Sequence, residues 1–256
     1  MSQHDRTIDL NIDGGESLGR WQLGADEALA PLASSINVAC GWHAGDPATM
    51  SDSIRLAKDH GLALGSHPGF PDLVGFGRRQ MAFSPVEAAQ AVIYQTGALR
   101  ALADQQGAPL RHVKAHGSLY GMMIRDDNIA DAVADAVGEM DPELILVLEA
   151  GQTAERQRTR GHRVAAEAFA DLEYTDQGHI LIDPQNQRRD PQWCADRARQ
   201  ILAGAVRSAN GIETPIQADT ICLHSDRPGA EDNARAVAAA IRNSGMTIRA
   251  LDPTNL

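Results

Sequence analysis

The sequence predicts an α/β fold of the TIM-like (β/α) barrel class, in a single domain spanning 1–256, and three observations carry that expectation. Short β-rich runs alternate some seven or eight times with Ala/Leu-rich stretches of helical periodicity. The 256 residues match the roughly 250 that such a barrel commonly uses. Residues able to do chemistry collect just beyond the strand runs, the face on which parallel-sheet folds place their active sites. An open doubly wound sheet shares the alternation and is the alternative.

The strand runs are TIDLNI at 7–12, SINVA at 35–39, LALGS at 62–66, RHVKA at 111–115, LILVLE at 144–149, RVAAEA at 163–168, TICLH at 220–224 and TIRAL at 247–251. Between them, helices announce their starts. Asp46-Pro47 and Ser84-Pro85-Val86-Glu87 each place a capping side chain before Pro at the first helical position, and Glu87 completes a capping box. Gly61, Gly107 and Gly245 follow helical stretches where a left-handed residue ends a helix. No low-complexity tract, charge block, linker or repeat divides the chain.

Composition narrows the function classes. With 43% hydrophobic and 22% charged residues the chain is ordinary for a globular protein. A net charge of -11 repels nucleic acid and anionic membrane, and lysine occurs only at Lys58 and Lys114, so there is no lysine-rich binding stripe. No apolar run approaches the ~18 to 20 residues that cross a bilayer, and the opening MSQHDRTIDL is not of signal-peptide type. Three cysteines without CxxC spacing argue against a disulfide framework. A cytoplasmic protein is expected.

The strand ends supply the candidate site. In the first strand Asp9, Asn11 and Asp13 alternate onto one side, and inward carboxylates are costly unless they bind a cation, accept hydrogen bonds or meet a polar ligand. A solvent-facing edge strand would give the same alternation. Gly14-Gly15-Glu16 adds a turn and another acid. After the second strand, Cys40-Gly41-Trp42-His43-Ala44-Gly45-Asp46 offers His43 for proton chemistry, whereas Asp46 reads as a helix N-cap. The third delivers His67 and a Gly/Pro-shaped loop ending in Arg78 and Arg79, of which Arg78 is the preferred anion holder. The fourth places Lys114 and His116 on one side, followed by Tyr120, with His112 read as structural. Near the end, His224 and Asp226 repeat the pattern.

His43, His67, His116 or His224 with Asp9 or Asp13 could hold a divalent metal, although HExxH and zinc-finger spacings are missing. GxSxG is absent, and Cys40 and Cys222 sit among apolar residues, so water is the better nucleophile. Neither GxxxxGK[ST] nor GxGxxG occurs, which disfavours an autonomous nucleotide site.

Five blocks in order, DLNIDGGES at 9–17, NVACGWHAGD at 37–46, LGSHPGFPDLVGFGRR at 64–79, RHVKAHGSLY at 111–120 and CLHSD at 222–226, resemble the LamB/YcsF family. The resemblance implies a seven-stranded or otherwise irregular barrel related to the glycoside hydrolase/deacetylase barrels. It implies a hydrolase opening a cyclic amide, 5-oxoproline to L-glutamate, with ATP hydrolysed in a complex with subunits B and C of a 5-oxoprolinase; self-association is open. On that reading Asp13, His67, Lys114 and His116 are catalytic. Asp13 or a histidine would be the base, Lys114 and Arg78 would stabilise the oxyanion or phosphate, and His116 or His67 would protonate the leaving nitrogen. Asp9, Asn11, Glu16, His43, Arg78, Tyr120, Asp171 and His224 would contact substrate.

One stretch departs from the family pattern. Leu172 stands where an arginine is expected, Gln177 where an acid is expected, and Asp183-Pro184 replaces a basic ending, while Asp171 and Tyr174 remain candidate site residues. Lost positive groups point towards a different lactam or a cyclic imide. Gly14 replaces a larger residue. Two other readings stay open: a metal-dependent amidase or deacetylase working without ATP, and a noncatalytic metabolite-binding subunit.

Overall fold

The computed structural model describes residues 6–182 and 186–252. Six parallel strands come first: β1 (Thr7–Gly14), β2 (Ser35–Ala39), β3 (Ala63–His67), β4 (Leu110–Lys114), β5 (Ile145–Glu149) and β6 (Val164–Phe169). The chain then leaves the sheet for two small antiparallel hairpins, β7 (Glu173–Tyr174) with β8 (Ile180–Leu181) and β9 (Ala205–Arg207) with β10 (Glu213–Pro215). It returns as β11 (Thr220–His224), which lies between β6 and β1. That pairing closes a seven-stranded parallel barrel. The closed ring excludes the open-sheet alternative.

The run at 247–251 forms only β12 (Thr247–Ile248), which pairs with Thr7 and Ile8 outside the ring. The other predicted strands match to within two residues. Helices α1 (Asp26–Leu29), α2 (Pro47–His60), α3 (Pro85–Gln105), α4 (Gly117–Arg125), α5 (Asp127–Met140), α6 (Gln152–Thr159), α7 (Pro191–Leu202) and α8 (Ala230–Asn243) accompany the strands. Asp46 caps α2 through the amides of Ala48 and Thr49, and Gly61 ends it at φ 68. Ser84 and Glu87 form the capping box of α3.

Strand periodicity separates two interiors. Leu10, Ile12, Leu146, Leu148, Ala166 and Leu223 join the main core with helix residues such as Ile54, Val92, Leu99 and Val133. The alternate residues of β5 and β6, Ile145, Val147 and Ala165, form a small separate cluster with Leu251 packed on it. On β1 the alternate positions are Asp9, Asn11 and Asp13, all buried. Close packing there depends on Gly65, because a Cβ would lie 2.0 Å from His112 Nε2. Cys40, Cys194 and Cys222 are free and buried. Burial pushes the Cys40 and Cys194 thiols up to about 12. Among the described residues no helix is long and apolar enough to cross a membrane.

Candidate active site

The polar face of β1 builds the site in layers. Deepest is Asp9, which accepts from Ser34 Oγ at 2.6 Å and from the hydroxyls of Ser35 and Thr220. Above it Asn11 donates to Glu167 Oε1 at 3.0 Å and Thr220 Oγ1 at 2.7 Å and accepts from Asn37 Nδ2 at 2.7 Å. His112 Nε2 meets Asn37 Oδ1 at 2.7 Å, so this histidine is a structural prop.

At the C-terminal ends of β1, β4 and β6, Lys114 Nζ lies 2.8 Å from Asp13 Oδ1 and 2.9 Å from Glu167 Oε1. It also reaches Cys222 Sγ at 3.0 Å and Asn11 Oδ1 at 3.3 Å. Burial favours a neutral amine, but the two carboxylates outweigh it and hold Lys114 well above the usual lysine range. Asp13 is likewise pushed up by burial and pulled well below the carboxylate range by His67 and Lys114. Tyr120 donates to Glu167 Oε2 at 2.9 Å. The Phe169 ring lies 5.3 Å from Lys114 Nζ and stacks on His224.

The end of β3 and the loops after β1, β2, β3 and β4 assemble a second group. His67 Nδ1 meets Lys114 O at 2.8 Å, His116 Nε2 meets Phe76 O at 2.8 Å, and His116 Nδ1 faces His67 Nε2 at 3.0 Å. His43 stacks on His116 with centroids 3.8 Å apart. Glu16 Oε1 lies 3.6 Å from both His43 Nε2 and His116 Nδ1. Burial holds His43 and His116 towards their neutral forms and pushes Glu16 up. Small residues make this closeness possible. A Cβ on Gly69 would lie 2.6 Å from His43 Nδ1, and one on Gly77, at φ +63, would lie 2.8 Å from both His43 and His116. Glu16, His43, His67 and His116 place their donor atoms within 4.8 Å of one another, a set that could bind a metal ion.

A cleft opens beside these groups. Asp13, His67, Lys114, His116 and Tyr120 line its polar side, and Phe169, Leu172, Ile180 and Ile182 its apolar side. Arg78, His224 and Arg227 also border it. His224 Nδ1 is 3.0 Å from Asp171 Oδ2, and its Nε2 is 3.6 Å from Asp13 Oδ2. Burial disfavours the His224 cation, but Asp171 outweighs it and raises this histidine. Arg78 bonds Asp226 at 2.8 Å, whereas Arg79 turns to Asp72.

The LamB/YcsF family model matches residues 8–255. The chain belongs to the LamB/YcsF family. It is 47% identical over 247 residues to a Thermus thermophilus protein named as the A subunit of 5-oxoprolinase, covering 95% of this chain and 99% of that one. A Geobacillus thermodenitrificans protein of the same name is 44% identical over 250 residues, covering 96% and 97%. The crystal structure of "Lactam Utilization Protein" from Thermus thermophilus superposes with a TM-score of 0.87 at 45% identity, covering 96% of this chain and all of that one. A family 4 carbohydrate esterase from Streptomyces lividans, with a TM-score of 0.56 at 10% identity, covering 98% and 95%, shares the fold alone.

In this LamB/YcsF barrel, Asp13, His67, Arg78, Lys114, His116, Tyr120 and His224 border the cleft. Asn11, Glu16, His43 and Asp171 support those residues from behind, and Asp9 is committed to hydroxyls one layer down. Sequence reasoning missed Glu167, the second carboxylate on Lys114. Its signal was a single acid inside the apolar run RVAAEA. Leu172 does border the cleft, Gln177 is exposed in the β7–β8 turn, and Asp183-Pro184 lies outside the described residues. Tyr174 is fully buried, with its hydroxyl accepting from the Phe169 amide, and is not among the lining residues. At Gly14 a Cβ would lie 2.8 Å from Ile36 Cδ1 and 3.0 Å from Asp26 Oδ2, so a larger residue needs those neighbours to shift.

Proposed function

We propose that this chain is the ring-opening subunit of an ATP-dependent 5-oxoprolinase, hydrolysing 5-oxoproline to L-glutamate with partner subunits B and C. The observation that carries the reading is the convergence of a buried ammonium (Lys114), a paired carboxylate (Asp13) and an aspartate-backed histidine (His224) on one cleft. The near-full-length relatives named for this role supply the substrate. The sequence carries no P-loop signature, so ATP is assigned to the complex rather than to this barrel. Free, buried thiols suit a cytoplasmic setting.

Water adds to the lactam carbonyl after partner subunits have activated it. Asp13 Oδ2, the oxygen not bonded to Lys114, orients that water and accepts its proton. The Lys114 ammonium stabilises the developing oxyanion in a site shielded from solvent. As the C–N bond breaks, His224 protonates the nitrogen. This moves the proton donor from His116 or His67 to His224, whose protonated form Asp171 favours, while His67 and His116 are turned to backbone carbonyls and to one another.

The test is glutamate release from 5-oxoproline and ATP by all three subunits, with each omitted in turn. Glutamate that requires all three supports the reading, and Lys114→Met should lower kcat by about 10²- to 10³-fold. Release by the isolated chain without ATP points instead to an autonomous amidase, and no release from folded, active partners overturns the assignment. The apolar side formed by Leu172, Ile180 and Ile182 favours a second substrate reading, a lactam or cyclic imide with a larger apolar edge. Running the same assay on such compounds separates the two.

A further inference from the structure

We infer that Glu16, His67 and His116 form a binding site for a divalent transition-metal ion, with His43 holding Glu16 in place. A backbone carbonyl only accepts hydrogen bonds. His67 Nδ1 faces the carbonyl of Lys114 and His116 Nε2 faces that of Phe76, so each of those nitrogens carries the ring hydrogen. In neutral rings the remaining nitrogens, His67 Nε2 and His116 Nδ1, are bare lone pairs.

Those two lone pairs point at one another across 3.0 Å. Glu16 Oε1 stands 3.6 Å from His116 Nδ1, and Asp13 Oδ2 stands 3.4 Å from His67 Nε2. With both rings neutral and Glu16 ionised, electron-rich atoms converge with no hydrogen among them. Glu16 Oε1 and both nitrogens of His43 have no hydrogen-bond partner among the described residues, although their side chains are almost fully buried. A cation at the convergence resolves the conflict.

Spacing and chemistry select its class. A tetrahedral ion with bonds of about 2.0–2.1 Å sets its donors about 3.3 Å apart, which the separations here straddle. Two imidazoles and one carboxylate suit zinc, cobalt, iron or manganese better than calcium or magnesium. Backbone acceptors on the far nitrogens fix ring orientation as they do in metal sites. His43 is stacked flat on His116, so its ring plane misses an ion lying in the plane of His116; its Nε2 instead faces Glu16. The competing Asp13, Cys222 and His224 group is already served by Lys114, which reaches both Asp13 and Cys222. His67 and His116 border the cleft, which leaves a coordination position towards substrate.

The full-length chain, purified from cells supplied with trace metals and dialysed, should hold about one equivalent of metal by mass spectrometry. After stripping with a chelator, cobalt(II) should raise the melting temperature and give visible d–d absorption. His67→Asn, His116→Gln and Glu16→Gln should each weaken cobalt binding at least about 100-fold, and His43→Ala about 10-fold. His162→Ala, which removes a side chain paired with Asp135, should bind as the wild type does. The wild-type spectrum requires no variant to fold. Wild-type protein that holds no metal and shows neither a spectrum nor a melting shift with cobalt or zinc overturns the site, as does a proton shared between His67 and His116 in imidazole ¹⁵N spectra. Metal binding without lactam turnover would sink the proposed activity and leave this site standing.

Discussion

His224 sits between competing carboxylates: Asp171 holds its Nδ1, Asp13 faces its Nε2, and Asp226 adds a further negative charge. Burial alone would empty the ring of its second proton, but Asp171 raises it above the ordinary 6.5. A group raised in this way keeps its proton below that point and loses it as pH rises through the higher value. If His224 protonates the leaving nitrogen, kcat of the assembled enzyme falls on an alkaline limb lying above 6.5. Asp171→Asn should move that limb to lower pH, and His224→Gln should cost about 10²- to 10⁴-fold in kcat. A limb that ignores Asp171→Asn removes His224 from the role. His67, Lys114, His116 and His224 were legible in the sequence because each closes a strand run and opens a Gly-rich or polar loop. Glu167 was not, since nothing in a lone acid among alanines reveals that Lys114, far away in sequence, will lie 2.9 Å from it.

At the scale of elements, local chemistry and sequence spoke together wherever a helix began. Asp46 accepts from the amides of Gly19, Ala48 and Thr49 and from the Thr49 hydroxyl, so it fastens the loop after β1 as well as capping α2. These donors, the Gly19 amide foremost, lower its carboxyl to about 2 from 3.8. A depressed carboxyl stabilises the fold fully above its unfolded value, and that contribution drains away as pH falls from about 4 towards 2. Asp46→Ala should cost about 1–2 kcal/mol in chemical denaturation at neutral pH. The deficit should shrink on acidification; one that is constant down to the acid limit contradicts the assignment. The four short strands β7 to β10 escaped the sequence because two or three residues cannot display a period. Tertiary anchors hold β8 instead, with Glu149 accepting from the Ile180 amide and bonding His179.

For the whole molecule, closure rests on β11, which reaches its place only after the long excursion through β7 to β10 and α7. The β6–β11 seam pairs only Glu167–Phe169 with Thr220–Cys222, and Asp219 reinforces it by accepting from the Ala166 amide at 2.7 Å and from Arg158. Asp219→Ala removes charged hydrogen bonds, each contributing about 1.5–3 kcal/mol. Amide exchange along β6 and β11 should quicken by about 10- to 100-fold while β2 to β4 keep their protection; equal acceleration everywhere would mean that the seam is not a separate opening unit. The same closure seals three sulfur atoms on different elements, Cys40 after β2, Cys194 on α7 and Cys222 on β11. An alkylating reagent can meet them only in molecules that have opened, so the rate at which each cysteine becomes labelled in native buffer is a clock for the part of the barrel around it. Cys222, against Lys114, would time exposure of the buried Lys114 site itself.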